Sequence, residues 1–223
     1  MVGDIMQQGR ATKYIDQHFF DQETPASMYL LGAFFASGTI RRRQMLFRSS
    51  SRDLVAMVKK EMRSEHGISY DTRGKNSFHL VVNTGLPHLV DSLSAYGLCR
   101  DGDSVLKRDR AFPSFDPSYA ADFIRGFVDA QATCYVQFKH PTLWVKFNRD
   151  FLGSLNSMLR MYAGTRRSGP KKNQITYNVE DTKKVREFVY REDDNGDWSY
   201  VRDSGLYLPE MRENFMTGRD GVL

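Results

Sequence analysis

The stretches Tyr29–Ile40, YLLGAFFASGTI, and Phe123–Cys134, FIRGFVDAQATC, read as one element written twice. Gly32 and Gly126 are the matching glycines, 94 residues apart, and each is followed four positions on by an alanine, Ala36 and Ala130. Residues i and i+4 share a helix face, so each copy carries a small-residue strip along which two helix backbones can approach. Past that strip each copy turns to β-prone residues. The duplication predicts two pseudo-symmetric halves joined through a helix pair.

Working outward, the first copy predicts a helix over 25–37, a hairpin at 39–49, a helix over 52–65, strands at 68–73 and 77–83, and a helix over 85–96. The second predicts a helix over 117–131, strands at 133–139 and 142–148, a helix over 150–162, a strand at 173–179 and a helix over 181–191. Both halves are read as αββαββα, an α+β fold with antiparallel sheets. Pro25 and Pro117 stand near the starts of the two motif helices, with Thr24 and Asp116 as caps. The division is 13–99 for the first repeat, 100–116 for a linker with four basic residues, 117–191 for the second repeat, and 192–223 for an acidic loop and closing helix.

On these residues the chain resembles the LAGLIDADG homing endonuclease family in its single-chain, two-repeat form. Gly32-Ala-Phe-Phe-Ala-Ser37-Gly38 and Gly126-Phe-Val-Asp-Ala-Gln131-Ala132 follow the family motif, and the likeness runs from about Lys13 to the closing helix near Pro209–Phe215. The resemblance implies motif helices packed on each other and a saddle of two four-stranded sheets for double-stranded DNA. It also implies one acid at the penultimate motif position of each repeat, holding divalent metal beside the scissile phosphates.

Those positions are Ser37 and Gln131 here. A hard cation such as Mg²⁺ is anchored by carboxylates, and a hydroxyl and an amide supply only neutral oxygens. Asp129 precedes Gln131 by two residues, roughly 200° around a helix, and is expected to point into its own sheet or to solvent. Asp122 is farther from the DNA end, and no acid lies between Glu23 and Asp53. The resemblance with both acids replaced implies an inactive nuclease fold without metal or cofactor. The change from Gly38 to Ala132 at the helix exit is a further departure, straining if that position needs a positive φ.

Charge is unevenly placed. Residues 1–179 hold 25 Lys and Arg against 16 Asp and Glu, a net +9, while residues 180–223 hold 7 against 11, a net −4. A basic body suits a polyanionic partner. Alternation along the strands puts Cys134, Val136 and Phe138 opposite Thr133, Tyr135, Gln137 and Lys139. It likewise sets Leu143, Val145 and Phe147 opposite Thr142, Trp144, Lys146 and Asn148. Gln174, Thr176 and Asn178, Ser77, His79 and Asn83, and Thr39, Arg41 and Arg43 form further polar faces, with Asp71 the one acid found beside them. Such residues reach base edges and phosphates in a major groove. The candidate DNA-contacting residues are Arg41, Arg43, Arg48, Arg73, Lys75, Gln137, Lys139, Trp144, Lys146, Gln174 and Asn178.

Other classes find little support. Two cysteines, Cys99 and Cys134, are too few for a disulfide framework, and five histidines (His18, His66, His79, His88, His140) show no metal-ligand spacing. No signal peptide or membrane span is visible, so an intracellular protein, cytoplasmic or nucleoid-associated, is expected. The segment Arg191–Arg202, REDDNGDWSYVR, is expected to be a loop away from DNA or, alternatively, an autoinhibitory or partner-binding element. The reading is a monomeric, sequence-specific double-stranded DNA-binding protein acting as a regulator or repressor. Its competitors are an active metal-dependent nuclease with atypical ligands and a fold reused for protein–protein contact.

Overall fold

The computed structural model describes residues 13–42, 44–72, 76–82, 85–137 and 140–216. Helix α1, Pro25–Ser37, begins in a capping box: the Thr24 hydroxyl accepts from the Ser27 N–H, and the Ser27 hydroxyl accepts from the Thr24 N–H. Every residue from Ser27 to Ala36 is buried. A helix apolar on all sides belongs in the middle of a molecule.

From α1 the chain enters the hairpin β1, Gly38–Arg41, and β2, Gln44–Ser49. It continues through α2, Arg52–Glu61, β3, Ile68–Asp71, β4, Ser77–Val82, and α3, Pro87–Ala95. Helix α2 stops earlier than its apolar pattern suggests, just before Arg63 takes a left-handed φ of 49°. The four strands form one antiparallel sheet in the order β1-β2-β4-β3.

The expected linker is more structured than a tether. Strands β5, Cys99–Arg100, and β6, Asp103–Ser104, pair as a small hairpin. The Ser104 hydroxyl accepts from the Ile40 N–H at 2.7 Å and the Asp103 carboxylate from the Arg42 N–H at 2.6 Å, binding the hairpin to β1.

The second repeat opens with a 3-10 turn, Pro117–Tyr119, capped by Asp116, and only then becomes α4, Ala120–Gln131. Strands β7, Ala132–Gln137, and β8, His140–Lys146, lead to α5, Arg149–Tyr162, then β9, Gln174–Tyr177, and α6, Val179–Tyr190. Its sheet, β7-β8-β9, has three strands among the described residues, where four were expected. Residues 163–173 turn too sharply for a fourth. Gly164, Gly169 and Lys172 have φ of +68°, +141° and +55°, and Lys171 folds back on Gln174 through a single bridge.

The two motif helices pack as their glycines demand. A Cβ on Gly32 would overlap the Phe123 carbonyl oxygen, and one on Gly126 would overlap that of Tyr29, a reciprocal pair across the pseudo-twofold. Around this crossing Phe35, Phe123, Phe127, Phe147 and Phe151 interlock with ring centroids 4.7–6.0 Å apart. Gly38 and Ala132 are both extended, with φ of −77° and −85°, so the alanine carries no backbone strain. Glycine is required at 38 for a different reason: a Cβ there would lie 2.9 Å from the Phe34 carbonyl oxygen.

Helices α7, Ser199–Ser204, and α8, Pro209–Met216, close the structure against the second repeat. Buried Arg125 on α4 organises them, donating to the carbonyls of Leu206 and Val189 at 2.7 Å each and to Asp122 at 2.8 Å. Asp122 also takes Arg191 at 2.6 Å. Asp129 points neither into its own sheet nor to solvent. Its Oδ2 accepts from the Tyr29 hydroxyl and the Leu208 N–H, both at 2.8 Å, and burial pushes its carboxyl up to about 7. The acidic segment supplies Glu192, which accepts from Arg186 at 2.8 Å and Arg212 at 3.4 Å. Among the described residues no helix is long and apolar enough to cross a membrane.

Candidate nucleic-acid interface

Strand register sets the polar faces. In the first sheet Arg41 lies opposite Gln44, Thr39 opposite Leu46 and Val81, and Arg48 opposite His79 and Ser69. Arg41, Gln44, Arg48 and Thr39 are exposed, while Leu46 and Val81 form a half-buried apolar rung between the basic ones. Such a rung suits the methyl groups of thymines. His79 and Ser77, expected on the wet face, are buried and bonded to each other at 2.8 Å. Burial and then the charge of Arg48 lower the imidazole pKa, favouring a neutral ring.

In the second sheet Thr133, Trp144 and Thr176 form one rung and Lys146 and Gln174 the next. Trp144, Lys146 and Gln174 thus share the polar face expected of them, with exposed Thr133 and Tyr135 beside them. Asn178 does not join that face: its side-chain oxygen accepts from the Asp181 N–H at 2.9 Å and caps α6. Cap geometry overrides the alternation because the strand has already ended at Tyr177. Arg43, Arg73, Lys75 and Lys139 lie outside the described residues. Gln137 pairs through its backbone with His140.

Between the sheets lie the C-terminal ends of the motif helices, which carry Ser37 and Gln131 in place of acids. Ser37 donates to the Ala130 carbonyl across the helix pair at 3.3 Å. Gln131 donates to the Lys146 carbonyl at 2.8 Å and accepts, at 3.5 Å, from the ammonium of Lys107. A cation therefore belongs to the protein itself at one of these helix ends.

Another cation stands at the other. The guanidinium of Arg110, 3% exposed, is ringed by main-chain oxygens: Nη1 donates to Phe34 and Phe35, Nη2 to Gly38 at 3.1 Å, and Nε to Val105 at 2.9 Å. Phe34 and Phe35 belong to the last turn of α1, at the negative end of its dipole, and the Phe34 carbonyl also accepts from the Gly38 N–H. Burial draws the guanidinium pKa down to about 10, still charged at neutral pH. Asn148, the cap of α5, donates to the carbonyls of Lys107 and Arg110 at 2.8 Å each. Both basic residues fall in the stretch read as a linker; nothing in their spacing separates them from ordinary basic loop residues.

A cleft of about 320 Å³ opens beside Gln131, lined by Ser49, Asp129, Thr133, Glu210 and Asn214 among others. The Oδ1 of Asp129 has no hydrogen-bond partner. Asp129 and Glu210 are the carboxylates that line the cleft, and Asp129 is held by Tyr29 and Leu208 through its other oxygen.

No family model and no curated protein matches the sequence. Solved structures do. Full-length DUF199/WhiA from Thermatoga maritima superposes with a TM-score of 0.52 at 12% identity, covering 93% of this chain and 66% of that one. The chain thus spans just under two thirds of that relative's length. An I-SmaMI LAGLIDADG homing endonuclease bound to cleaved DNA aligns at a TM-score of 0.44 and 14% identity over 91% of this chain and 97% of its own. The N-terminal LAGLIDADG domain of DUF199/WhiA superposes with a TM-score of 0.51 at 11% identity, over 78% of this chain and 87% of that domain, so the two-repeat fold inferred from the duplicated motif is the fold of a LAGLIDADG domain.

Proposed function

We propose that this chain binds double-stranded DNA across its two sheet faces without cutting it, as a monomeric, site-specific regulator or repressor. The observation that carries the reading is the state of the two motif-helix ends. Ser37 and Gln131 offer neutral groups already engaged by main-chain carbonyls, and Lys107 and Arg110 bring fixed positive charge to the same ends. A divalent cation would meet cations where it needs carboxylates. Phosphates would meet the charge they need.

Arg41 and Arg48 on one sheet and Lys146, Gln174 and Trp144 on the other supply phosphate contacts, base-edge donors and an aromatic surface. Arg43, Arg73, Lys75 and Lys139, outside the described residues, and Gln137 extend that set on the strength of the sequence. Because the two faces differ in sequence, the preferred site is asymmetric or only partly palindromic.

One observation favours a second reading. The buried, unpartnered Oδ1 of Asp129, a residue that lines a cleft with Glu210 and Gln131, would give an active nuclease a displaced acid. Selection of bound fragments from a random duplex library separates the readings. Recovered sites are then incubated with Mg²⁺ or Mn²⁺ and run under denaturing conditions. We expect a recurrent site, intact strands, and log K falling with log salt by about 0.9 per phosphate neutralised. Specific nicking would transfer the function to the displaced-acid nuclease, and no duplex affinity at low salt would remove DNA as the partner.

A further inference from the structure

Of the five histidines scattered through the sequence, two converge in the fold. His18, in the turn before α1, and His88, in the first turn of α3, direct ring nitrogens at a single carboxylate, Asp21. His18 Nδ1 lies 2.9 Å from Asp21 Oδ2, and His88 Nε2 lies 2.8 Å from each carboxylate oxygen. The two imidazoles face each other with centroids 4.0 Å apart. One ligand atom from each residue can be chosen so that all three lie within 4.8 Å, the one such group of His, Cys, Asp and Glu among the described residues.

We propose that His18, Asp21 and His88 form a binding site for a divalent transition-metal ion of the Zn²⁺ type. Two imidazoles and a carboxylate with an open fourth position are a donor set such ions take. Bonds of about 2.0–2.1 Å place tetrahedral donors roughly 3.3 Å apart, so the two nitrogen–oxygen separations of 2.9 and 2.8 Å need only a small outward movement. Each imidazole coordinates as the neutral tautomer, its proton moved to the outward nitrogen of a solvent-exposed ring. Ser92 donates to Asp21 Oδ1 at 2.8 Å and fixes the carboxylate's orientation, the service an outer partner gives a metal ligand.

The ion would fasten the 13–24 arm to α3. It would sit at the N-terminal end of α1, about 18 Å along that helix from the DNA-facing end, so the proposal stands independently of the DNA reading. The test is titration of the chelator-treated full chain with Zn²⁺ by calorimetry at pH 7.5, and with Co²⁺ by visible absorption. One equivalent is expected, with a tetrahedral Co²⁺ band. His18→Ala or His88→Ala should each weaken binding at least about tenfold, and Ser92→Ala by about tenfold. His66→Ala should leave it unchanged. Retained affinity in the His18→Ala/His88→Ala double variant, folded by circular dichroism, would overturn the site, as would the absence of stoichiometric binding to the unmutated chain. Either result would leave the trio as a hydrogen-bonded clasp.

Discussion

Set in register, the two motif helices share a backbone plan and differ in what they carry inside. Where α1 has Met28, Leu31 and Phe35, α4 has Asp122, Arg125 and Asp129, and all six are buried. The glycine strip is common because each helix meets the other's backbone there. The charged trio is peculiar to α4 because it receives the chain's last segment: Leu206 and Leu208 bond to Arg125 and Asp129, and Arg191 pairs with Asp122. Duplication fixes the surface two repeats share; each repeat's remaining surfaces follow whatever packs on it.

The largest expected effect tests the shared surface. Gly126→Val forces side-chain atoms into the Tyr29 carbonyl and should cost more than about 4 kcal/mol or abolish folding. A loss below about 1 kcal/mol in urea unfolding would mean that the backbones are farther apart than described.

Next comes the surface that differs. Arg125→Leu, copying Leu31, strands Asp122 with only Arg191 and releases two carbonyls; a loss of about 3–5 kcal/mol is expected, with faster amide exchange in α7 and α8. The triple replacement Asp122→Met/Arg125→Leu/Asp129→Phe should cost less than the sum of its parts, since the charges leave together. Additive losses would show the trio to be three independent interactions.

Asp129 sharpens the contrast through pH. Its carboxyl is raised to about 7 from a usual value of 3.8, so the folded chain holds that proton more tightly than the unfolded one. The stability it contributes is complete below pH 4 and is lost as pH rises through about 7, by an amount on the order of a few kcal/mol. Asp129→Asn should flatten the stability profile between pH 4 and 7. An unchanged slope would place the titration elsewhere.

The smallest effects separate structural from contacting residues on the second sheet. Asn178→Ala should cost about 1 kcal/mol through the lost α6 cap. Gln174→Ala should leave stability unchanged within about 0.5 kcal/mol. On DNA the order reverses, and Arg41→Glu with Lys146→Glu should reduce duplex affinity at least about a hundredfold and shallow the salt dependence. Equal loss of affinity from the Asn178 and Gln174 changes would return Asn178 to the contacting set.

The helix pair, its caps and most strands were legible because they rest on local signals: glycine spacing, Thr24 and Asp116 beside prolines, and apolar alternation. What escaped the sequence depends on distant partners. Asp129 reads as pointing into its own sheet or to solvent because Leu208, which holds it, lies 79 positions away. His18 and His88 looked unrelated because only the docking of the N-terminal arm on α3 makes them neighbours. Ser77 and His79 alternate as wet-face residues should, yet the strand they occupy is interior to its sheet, between β2 and β3. Alternation tells which face a side chain takes, and neighbouring strands decide whether water reaches it.

The cage around Arg110 changes what kind of loop joins the repeats. Polymer statistics would let a flexible tether of any modest length serve, each doubling costing only about 0.6 kcal/mol. Here the connection carries an atom group that completes α1 and is itself anchored by a cap of α5. A glycine-serine replacement of equal length would therefore fail where chain entropy alone predicts success. The joint between the halves is a component with a fixed shape, and engineering that separates, swaps or recombines the two repeats must carry residues 99–110 along with the first.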